Sequence, residues 1–204
     1  MSPSLETHAI AAGRPQELRV TSALLDAALR ELAQNGYEQT TLAAIAARAG
    51  TSKQAVYRRY EGKAGLIAAA VGQGLQVAGP AAPLRGSVAG DLRQCLSDMV
   101  AALQETPLGG AVRALVPYRH VPEFAPVLEE AETARRLVLR QIFIATPFEA
   151  DMETRIDLLL GLVHFRLLFG TAKITQNDID TAIYLVLGLV APRDPVPRDG
   201  LPGI

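Results

Sequence analysis

The chain has 204 residues and a mass of 21.7 kDa, the size of one ordinary domain or of a small domain joined to a larger one, which excludes a large multidomain assembly. Apolar residues make up 49 % and charged residues 20 %, so the chain can bury a substantial core and is not expected to be disordered as a whole. The formal net charge of -1 does not by itself indicate an anionic partner.

No segment of the sequence predicts a membrane span or a secretory leader. The longest apolar stretch, residues 156–169, contains Asp157, His164 and Arg166 and is shorter than the roughly 18 uninterrupted apolar residues that a span needs. The first residues lack the apolar block of a signal peptide. The single cysteine, Cys95, excludes an intramolecular disulfide. We therefore expect a cytoplasmic protein with no membrane partner.

The first eighty residues show helical periodicity with short interruptions. Gly36 is placed to end a first helix, and Thr40 or Thr41 to cap the start of a second, which Gly50 closes. Ser52 is a typical N-cap for a third helix. We predict four helices here, over about residues 17–35, 42–49, 52–59 and 63–77.

The remaining chain also reads as helix, after a connector of prolines and glycines at residues 79–86. Pro107, Gly109 and Gly110 are expected to interrupt the pattern. Capping boxes open the last two helices, at Thr146 (or with a start nearer Asp151) and at Thr175 with Asp178. These signals predict helices over about residues 87–104, 111–116, 122–145, 146–169 and 175–191, followed by an extended, largely disordered Pro-rich tail at 192–204. No strand pattern is present, so we predict an all-α fold.

Positive charge is concentrated in one short segment. Residues 40–63 hold five cations and one anion, a net of 5 - 1 = +4 in 24 residues, whereas the rest of the chain sums to -5. A basic patch on an otherwise acidic protein favours an anionic partner, and nucleic acid is the first candidate. The alternative is a solvated helix surface with no partner.

The same segment has the steric pattern of a helix-turn-helix. Ala46 is small where two helices would cross, and Gly50 can adopt the positive φ that the turn needs. Ile45 and Val56 are apolar where they would clamp the crossing. A structural helical hairpin could share the apolar positions, but the pattern together with the charge favours DNA binding.

The second helix of such a motif enters the major groove near its N-terminus. This places Lys53, Gln54 and Arg58 near base edges and phosphates, where lysine and arginine favour guanine and glutamine favours adenine. Tyr57 offers a hydroxyl to a phosphate, with core packing as its alternative role. The predicted DNA-binding residues are Arg14, Thr40, Thr41, Ser52, Lys53, Gln54, Tyr57, Arg58 and Lys63.

The segment resembles the N-terminal domain of TetR-family transcriptional regulators over residues 14–71. The similarity is carried by Gly36-Tyr37, Thr40-Thr41, Ile45-Ala46, Ala49-Gly50, Ser52-Lys53, Val56-Tyr57, Tyr60 and Lys63. The chain departs from the family at Thr51, where Val is usual, and at Gly65, where a bulkier residue is common. Residues 157–161 and 165–168 are similar to the eighth helix of one C-terminal subgroup of the family.

This resemblance implies a nine-helix homodimer in which three N-terminal helices bind DNA and six further helices dimerise and hold a small-molecule inducer. It divides the chain into an N-terminal arm and helix-turn-helix domain (1–63), a helical effector-binding and dimerisation domain (64–191) and the tail (192–204). The expected function is a ligand-responsive repressor that binds a pseudo-palindromic operator. The inducer would move the fourth helix. Gly65, Gly72 and Gly74 weaken this helix, so we expect it to act as a flexible lever.

Helices eight and nine are apolar around most of their circumference, which independently favours burial against a partner as well as against their own core. A fully central core helix is the alternative. The predicted dimerisation residues are Leu158, Leu162, Phe165, Phe169, Ile183, Leu187 and Val190.

Polar side chains on the apolar helices are candidates for the effector site: Arg113, Tyr118, His120, Gln141 and His164. The effector itself is unknown, and we expect no other cofactor, because the three dispersed histidines have no metal-ligand spacing and no nucleophile motif or phosphate-binding loop is present. We therefore do not expect an enzyme. The competing hypothesis is a helical-bundle ligand-binding or catalytic protein whose N-terminal hairpin is only structural.

Overall fold

The computed structural model describes the backbone of residues 8–170 and 172–189, and the side chains of 17–170 and 172–189. This part of the chain forms nine α-helices and contains no strand, which confirms the predicted all-α class. The helices are α1 (His8–Gln39), α2 (Leu42–Arg48), α3 (Lys53–Tyr57), α4 (Gly62–Val77), α5 (Val88–Glu105), α6 (Pro107–Leu115), α7 (Ala125–Phe143), α8 (Met152–Leu168) and α9 (Gln176–Leu187), with a 3-10 turn at Val116–Tyr118.

Helix α1 is longer than its sequence pattern indicated, but its main interruption is where we predicted it. It begins at His8, and its helical dihedrals are broken at Gly36, whose φ of 74° is left-handed. After this break, the Thr40 hydroxyl donates to the Gly36 carbonyl oxygen at 2.7 Å. Glycine is suited to this position because a left-handed φ costs it no steric strain.

The caps of α2 and α3 confirm the local prediction. The Thr41 hydroxyl accepts a hydrogen bond from the Ala44 N–H at 3.1 Å, and the Ser52 hydroxyl accepts one from the Ala55 N–H at 3.2 Å. Between the two helices, Gly50 has a φ of 64°. Each cap satisfies a backbone donor that the helix itself leaves unpaired. Helix α3 ends at Tyr57, two residues earlier than predicted.

The prediction that Pro107, Gly109 and Gly110 interrupt the helical pattern was wrong, because all three lie inside α6. Thr106 caps the helix by accepting from the Leu108 N–H, and Pro107 occupies its first turn, where no N–H is needed. A Cβ on Gly109 would lie 1.9 Å from the Leu103 carbonyl oxygen, and one on Gly110 would lie 3.0 Å from the Ala33 Cβ. These glycines therefore serve close packing rather than helix termination.

The beginnings of α7 and α8 also differ from the predicted ones. Helix α7 starts at Ala125, so Pro122 precedes it. The bonds of the Thr146 capping box form in part, since the Thr146 hydroxyl accepts from the Phe148 N–H at 3.2 Å. They close only a turn, and α8 begins at Met152 after Asp151, which has a φ of 58°. The later of the two predicted starts was therefore the better one.

The described part of the chain divides into two compact units, residues 8–82 with 98–138 and residues 83–97 with 139–170 and 172–189. In the first unit, α2 and α3 pack on α1 and α4, and α6 packs on α1. In the second, α8 packs on α9, which starts with the predicted capping box between Thr175 and Asp178. The predicted boundaries at residues 63 and 191 stay predictions, and the tail at 192–204 lies outside the described residues. Within those residues, no helix is both long and apolar enough to cross a membrane.

Candidate nucleic-acid interface

The helix pair α2–α3 is fixed by a small apolar core. Ile45 and Val56 are fully buried, and Ala46 between them is only 3 % exposed. They belong to one cluster with Leu24 and Leu66, which come from α1 and α4. Because one face of α3 is anchored in this way, its opposite face must point outward. The steric pattern found in the sequence is thus the pattern that orients α3.

The outward face of α3 carries most of the residues predicted to contact DNA. Ser52, Lys53, Gln54, Tyr57 and Arg58 are all exposed. The exposed fraction of Tyr57 is 57 %, so the alternative role in core packing does not apply, and the Lys53 Nζ lies 5.7 Å from its ring centroid. This face offers cationic, amide and hydroxyl groups within one helical turn and a half, the groups that read base edges and phosphates.

Three other residues predicted to contact DNA do not lie on the outward face of α3. Thr40 is 1 % exposed and its hydroxyl is bonded to Gly36, so the prediction that it contacts DNA was wrong; the side chain instead caps the end of α1. Thr41 is exposed, although its hydroxyl also caps α2. The side chain of Arg14 lies outside the described residues.

Fewer cations of residues 40–63 are available to a partner than the sequence count indicates. The Arg48 Nε donates to the Glu31 Oε1 at 2.7 Å, and the Glu31 side chain is only 9 % exposed. A second guanidinium nitrogen of Arg48 donates to Gln34. One of the five cations of residues 40–63 therefore neutralises a buried carboxylate on α1. The sequence count could not include this pair, because Glu31 lies outside the segment.

Lys63, at the start of α4, is held by the end of α1. Its Nζ donates to the Tyr37 carbonyl oxygen at 2.9 Å and lies 4.2 Å from the Tyr37 ring centroid. Burial, followed by the charges of Glu123 and Glu38, raises the pKa of Tyr37. An ammonium has three donors, so a phosphate contact by Lys63 stays a prediction. The contact inside the chain was not anticipated.

The Tyr37 ring is also part of an aromatic cluster in the first unit. It packs against Tyr118 and Phe124, with ring centroids 4.7 and 5.3 Å away, and Phe124 is fully buried. The Tyr118 hydroxyl donates to the Glu38 Oε1 at 2.7 Å, and this hydrogen bond raises the pKa of Tyr118. Tyr118, predicted as an effector ligand, therefore joins the turn after α6 to the end of α1.

The other effector candidates do not converge on a site. Arg113, His120 and Gln141 are exposed, and His164 is half-buried. Neither of the two cavities that border α4 in the first unit is lined by any of the five candidates. Their role as effector ligands therefore stays a prediction, because the sequence does not say which polar residues on apolar helices face a common space.

The two cavities border different sides of the C-terminal half of α4. The first, about 540 Å³, has walls from α1, α4, α5 and α6 and includes Gly74 and Leu108. The second, about 490 Å³, lies between α4 and α7 and includes Gly72 and Arg135. Both volumes fall in the range of about 300–1,000 Å³ that small-molecule sites occupy.

The second unit has an exposed apolar surface on its last two helices. On α8, Leu158 and Phe165 are 62 % and 61 % exposed, and Phe169 directly after the helix is 75 % exposed, whereas Leu162 is half-buried. On α9 the prediction was wrong for Ile183 and Leu187, which are 0 % and 5 % exposed because they pack into the core of their own chain. The exposed apolar residues here are Leu185 on α9 and Leu189 just after it, and Val190 lies outside the described residues.

A helix pair joined by a tight glycine turn, with its second helix exposed and basic, defines a helix-turn-helix DNA-binding protein. Residues 24–70 match the family model described as bacterial regulatory proteins, tetR family, and residues 82–186 match the one described as Tetracyclin repressor-like, C-terminal domain. The second match alone spans half of the chain. The chain belongs to the TetR family and is a DNA-binding transcriptional regulator.

Individual relatives agree with this assignment. Uncharacterized HTH-type transcriptional regulators of Mycobacterium bovis and Mycobacterium tuberculosis are 31 % identical over 169 residues, which cover 78 % of this chain and 82 % of each relative. A TetR-family regulator from Pseudomonas syringae has a solved structure with 25 % identity and a TM-score of 0.59, covering 82 % of this chain and 94 % of that one.

A solved structure from Mesorhizobium loti, described as a putative TetR-family regulator, has a TM-score of 0.63 at 17 % identity and covers 85 % of this chain and 97 % of that one, which supports the fold alone. TetR-family proteins are regulators that bind DNA and typically act as dimers. The comparisons therefore favour the regulator over the helical-bundle ligand-binding or catalytic protein that the sequence had left open.

Proposed function

We propose that this regulator is a homodimeric, effector-responsive repressor that binds a pseudo-palindromic operator. The single observation that carries the proposal is the exposed polar face of α3, held outward by the buried pair Ile45 and Val56. Two such helices related by a dyad would meet half-sites about 34–36 Å apart, one turn of B-DNA. The family typically uses this arrangement.

Within each half-site, Lys53 and Gln54 at the N-terminus of α3 are assigned to base edges. Lysine contacts guanine acceptors, whereas the Gln54 amide can pair with adenine in a bidentate way. Arg58 and Tyr57 lie further along the same exposed face and are assigned to phosphates, with Thr41 and Ser52 at the starts of α2 and α3. The first group confers sequence preference and the second group affinity.

Dimerisation is assigned to the exposed apolar residues of α8 and α9. Phe165 and Phe169 form a ring pair with centroids 5.7 Å apart, and both rings are largely exposed. A group of large, solvent-exposed apolar side chains of this kind indicates an interaction surface. A two-fold interface matches a pseudo-palindromic site, because both have the same symmetry.

The effector response is assigned to α4. This helix begins at Gly62, shortly after α3 ends at Tyr57, and its C-terminal half borders both cavities. A ligand that occupies one cavity and displaces α4 would move α3 with it and change the spacing of the two recognition helices. Operator affinity would then fall, so the effector would release the repressor from the operator and relieve repression.

Genomic footprinting followed by fluorescence anisotropy tests the proposal. Footprints should contain inverted half-sites, and Gln54→Ala should weaken operator binding by about 5- to 150-fold, the equivalent of about 1–3 kcal/mol for one bidentate contact. Binding to random DNA should be unchanged for this variant. Gln94→Ala, which removes an exposed glutamine on α5, is the matched control. Equal losses on operator and random DNA, or footprints without inverted half-sites, would overturn the proposal.

A further inference from the structure

Helix α8 has a glycine near its middle that the surrounding chain does not explain. Gly161 is exposed, and its φ is not positive, so the backbone does not require glycine at this position. A Cβ at Gly161 would meet no described residue within 4 Å, so no neighbour needs the space either. Glycine destabilises a helix interior relative to alanine. Gly161 therefore weakens α8 without a benefit to the described part of the single chain.

Two glycines of α4 show what such a residue can do. A Cβ at Gly72 would lie 3.4 Å from a methyl carbon of Val127 on α7, and a Cβ at Gly74 would lie 2.9 Å from a methyl carbon of Leu108 on α6. Each of these glycines lets a second helix pack closely against α4. The same explanation for Gly161 requires a helix that the described part of one chain does not provide.

Gly161 lies at the centre of an exposed stripe of α8. Thr154, Leu158, Gly161 and Phe165 follow one another at intervals of three or four residues, so they share one face of the helix, and all four are exposed. Phe169, directly after the helix, continues this face and packs against the Phe165 ring. We call these five residues the α8 stripe. It carries no charge, and its smallest residue lies between its large apolar ones.

The partner that the α8 stripe fits best is a second copy of the same chain. In a two-fold contact one patch meets itself, so a charge near the axis would face its own like charge. The α8 stripe has no charge to bring together in this way, and the exposed Asp157 lies at its edge. Leu158 and Phe165 lie on opposite sides of Gly161 along the helix. Apolar side chains of one copy therefore meet apolar side chains of the other, whichever direction the two helices run.

We propose that the two copies of α8 in the homodimer cross at Gly161, with the two-fold axis next to this residue. The inference rests on the dimer of the proposed function and adds which helix meets which, and at which position. Packed helix axes lie about 8–10 Å apart, depending on the side chains at the contact. With glycine at the crossing the two backbones approach closely, and Leu158 and Phe165 pack against the facing helix on both sides.

Self-cross-linking of the full chain tests the crossing point. A disulfide needs Cα atoms about 4.4–6.8 Å apart, so a cysteine can bond to its own copy only close to the two-fold axis. Under mild oxidation, Gly161→Cys should give a dimer band on a non-reducing gel that a thiol reductant removes. Gly86→Cys, at another exposed glycine whose Cβ would have no neighbour within 4 Å, should give none. The unmodified protein controls for Cys95, which is buried.

Two results of this experiment would overturn the proposal. The first is a Gly161→Cys protein that is dimeric in solution but does not cross-link. The second is equal cross-linking of the Gly161→Cys and Gly86→Cys proteins, because this would reflect random collisions and not a fixed contact.

The dimer dissociation constant, measured by sedimentation equilibrium, gives an independent test. Gly161→Leu should weaken the dimer at least about 5-fold, because the new side chain overpacks the crossing. Gly86→Leu adds the same side chain away from the stripe and should leave the dissociation constant unchanged. A Gly161→Leu dimer as tight as the unmodified one would overturn the proposal.

An alanine variant guards against a folding defect in Gly161→Leu. Alanine favours helix more than glycine does, so Gly161→Ala should fold at least as stably as the unmodified chain. We expect its dimer nevertheless to be weaker, because the added methyl group separates the two backbones. A Gly161→Ala dimer tighter than the unmodified one would show that only helix propensity matters at this position and would overturn the crossing.

These measurements separate the crossing from the proposed function. A cross-linked Gly161→Cys protein that still binds a footprinted operator supports both. A dimer that Phe165→Glu disrupts, but that the substitutions at Gly161 leave intact, overturns the crossing and leaves the homodimer of the proposed function standing. An unmodified chain that is monomeric at micromolar concentrations overturns both.

Discussion

Arg48 on α2 and Glu31 on α1 form an ion pair at 2.7 Å that joins the helix-turn-helix to the preceding helix. The Glu31 carboxylate also accepts from the Asn35 side chain at 2.8 Å, so both of its oxygens have hydrogen-bond partners, and the side chain is largely buried. A basic residue next to a predicted recognition helix is therefore structural here. This separates Arg48 from Arg58, which is exposed on the outer face of α3.

The two arginines should respond differently to removal. Arg48→Ala leaves Glu31 buried without its cation and should lower the free energy of unfolding by about 1–3 kcal/mol, less than for a fully buried pair because Arg48 is 37 % exposed. Arg58→Ala should leave stability unchanged and reduce the slope of log K against log salt by about one. Urea unfolding and operator titrations across salt measure both effects. A reduced salt slope in Arg48→Ala would contradict the assignment.

The apolar surface of α8 should be needed for the dimer. Phe165→Glu places a charge at a site that is 61 % exposed in the single chain, so the chain should still fold but elute as a monomer in size exclusion with light scattering. Operator affinity should fall, because the second half-site is no longer bound as part of one complex. Leu84→Glu, at a leucine that is 85 % exposed, is the control and should remain dimeric. A dimeric Phe165→Glu would exclude this surface as the interface.

The lever hypothesis for α4 can be tested at one of its three glycines without altering a cavity. A Cβ at Gly65 has no neighbour closer than the Glu61 Cβ at 4.0 Å, whereas Gly72 and Gly74 line the two cavities. Gly65→Ala should raise the free energy of unfolding by about 0.5–1 kcal/mol, since alanine favours helix. We expect the stiffer helix to need more effector for operator release. Dose–response curves equal to those of the unmodified protein would argue against a lever.

The capping box of α9 predicts a pH dependence of stability. The Thr175 backbone N–H and hydroxyl both donate to Asp178 at 2.8 Å, and these bonds, helped by Arg166, hold the pKa of Asp178 below its usual value of 3.8. Because the folded pKa is lowered, the stabilisation is complete above the unfolded pKa and is lost as pH falls through the folded one.

Asp178→Asn should therefore destabilise the protein by less than about 1 kcal/mol at neutral pH, since asparagine keeps an acceptor, and the difference from the unmodified chain should shrink towards about pH 3. Urea unfolding at both pH values measures this. Asn177→Asp, which adds a carboxylate at the neighbouring exposed position, controls for a general charge effect. A difference that grows on acidification would contradict the capping role.

Local signals in the sequence predicted the helix-turn-helix well. The N-caps at Thr41 and Ser52 and the positive φ of Gly50 each depend on residues within a few positions, and all three form as expected. The outward face of α3 followed from the same pattern, because the burial of Ile45 and Val56 leaves it no other orientation.

Longer-range properties could not be predicted in this way. Thr40 and Thr41 are equivalent as capping residues in sequence, but only the fold shows that Thr40 turns inward to Gly36. Helix α9 is apolar on more than one side, so its sequence does not say that Ile183 faces its own core and Leu185 faces solvent. The cavities depend on side chains from helices that are distant in sequence, so the sequence did not predict which residues line them.

The backbone contact at Gly109 restricts how this regulator can be changed. Because a Cβ there would overlap the Leu103 carbonyl oxygen, every other amino acid would force the corner between α5 and α6 apart. Variants selected for an altered effector response should consequently keep glycine at this position. Sequence variation between α5 and α6 is therefore limited by the backbone itself and not by any side chain.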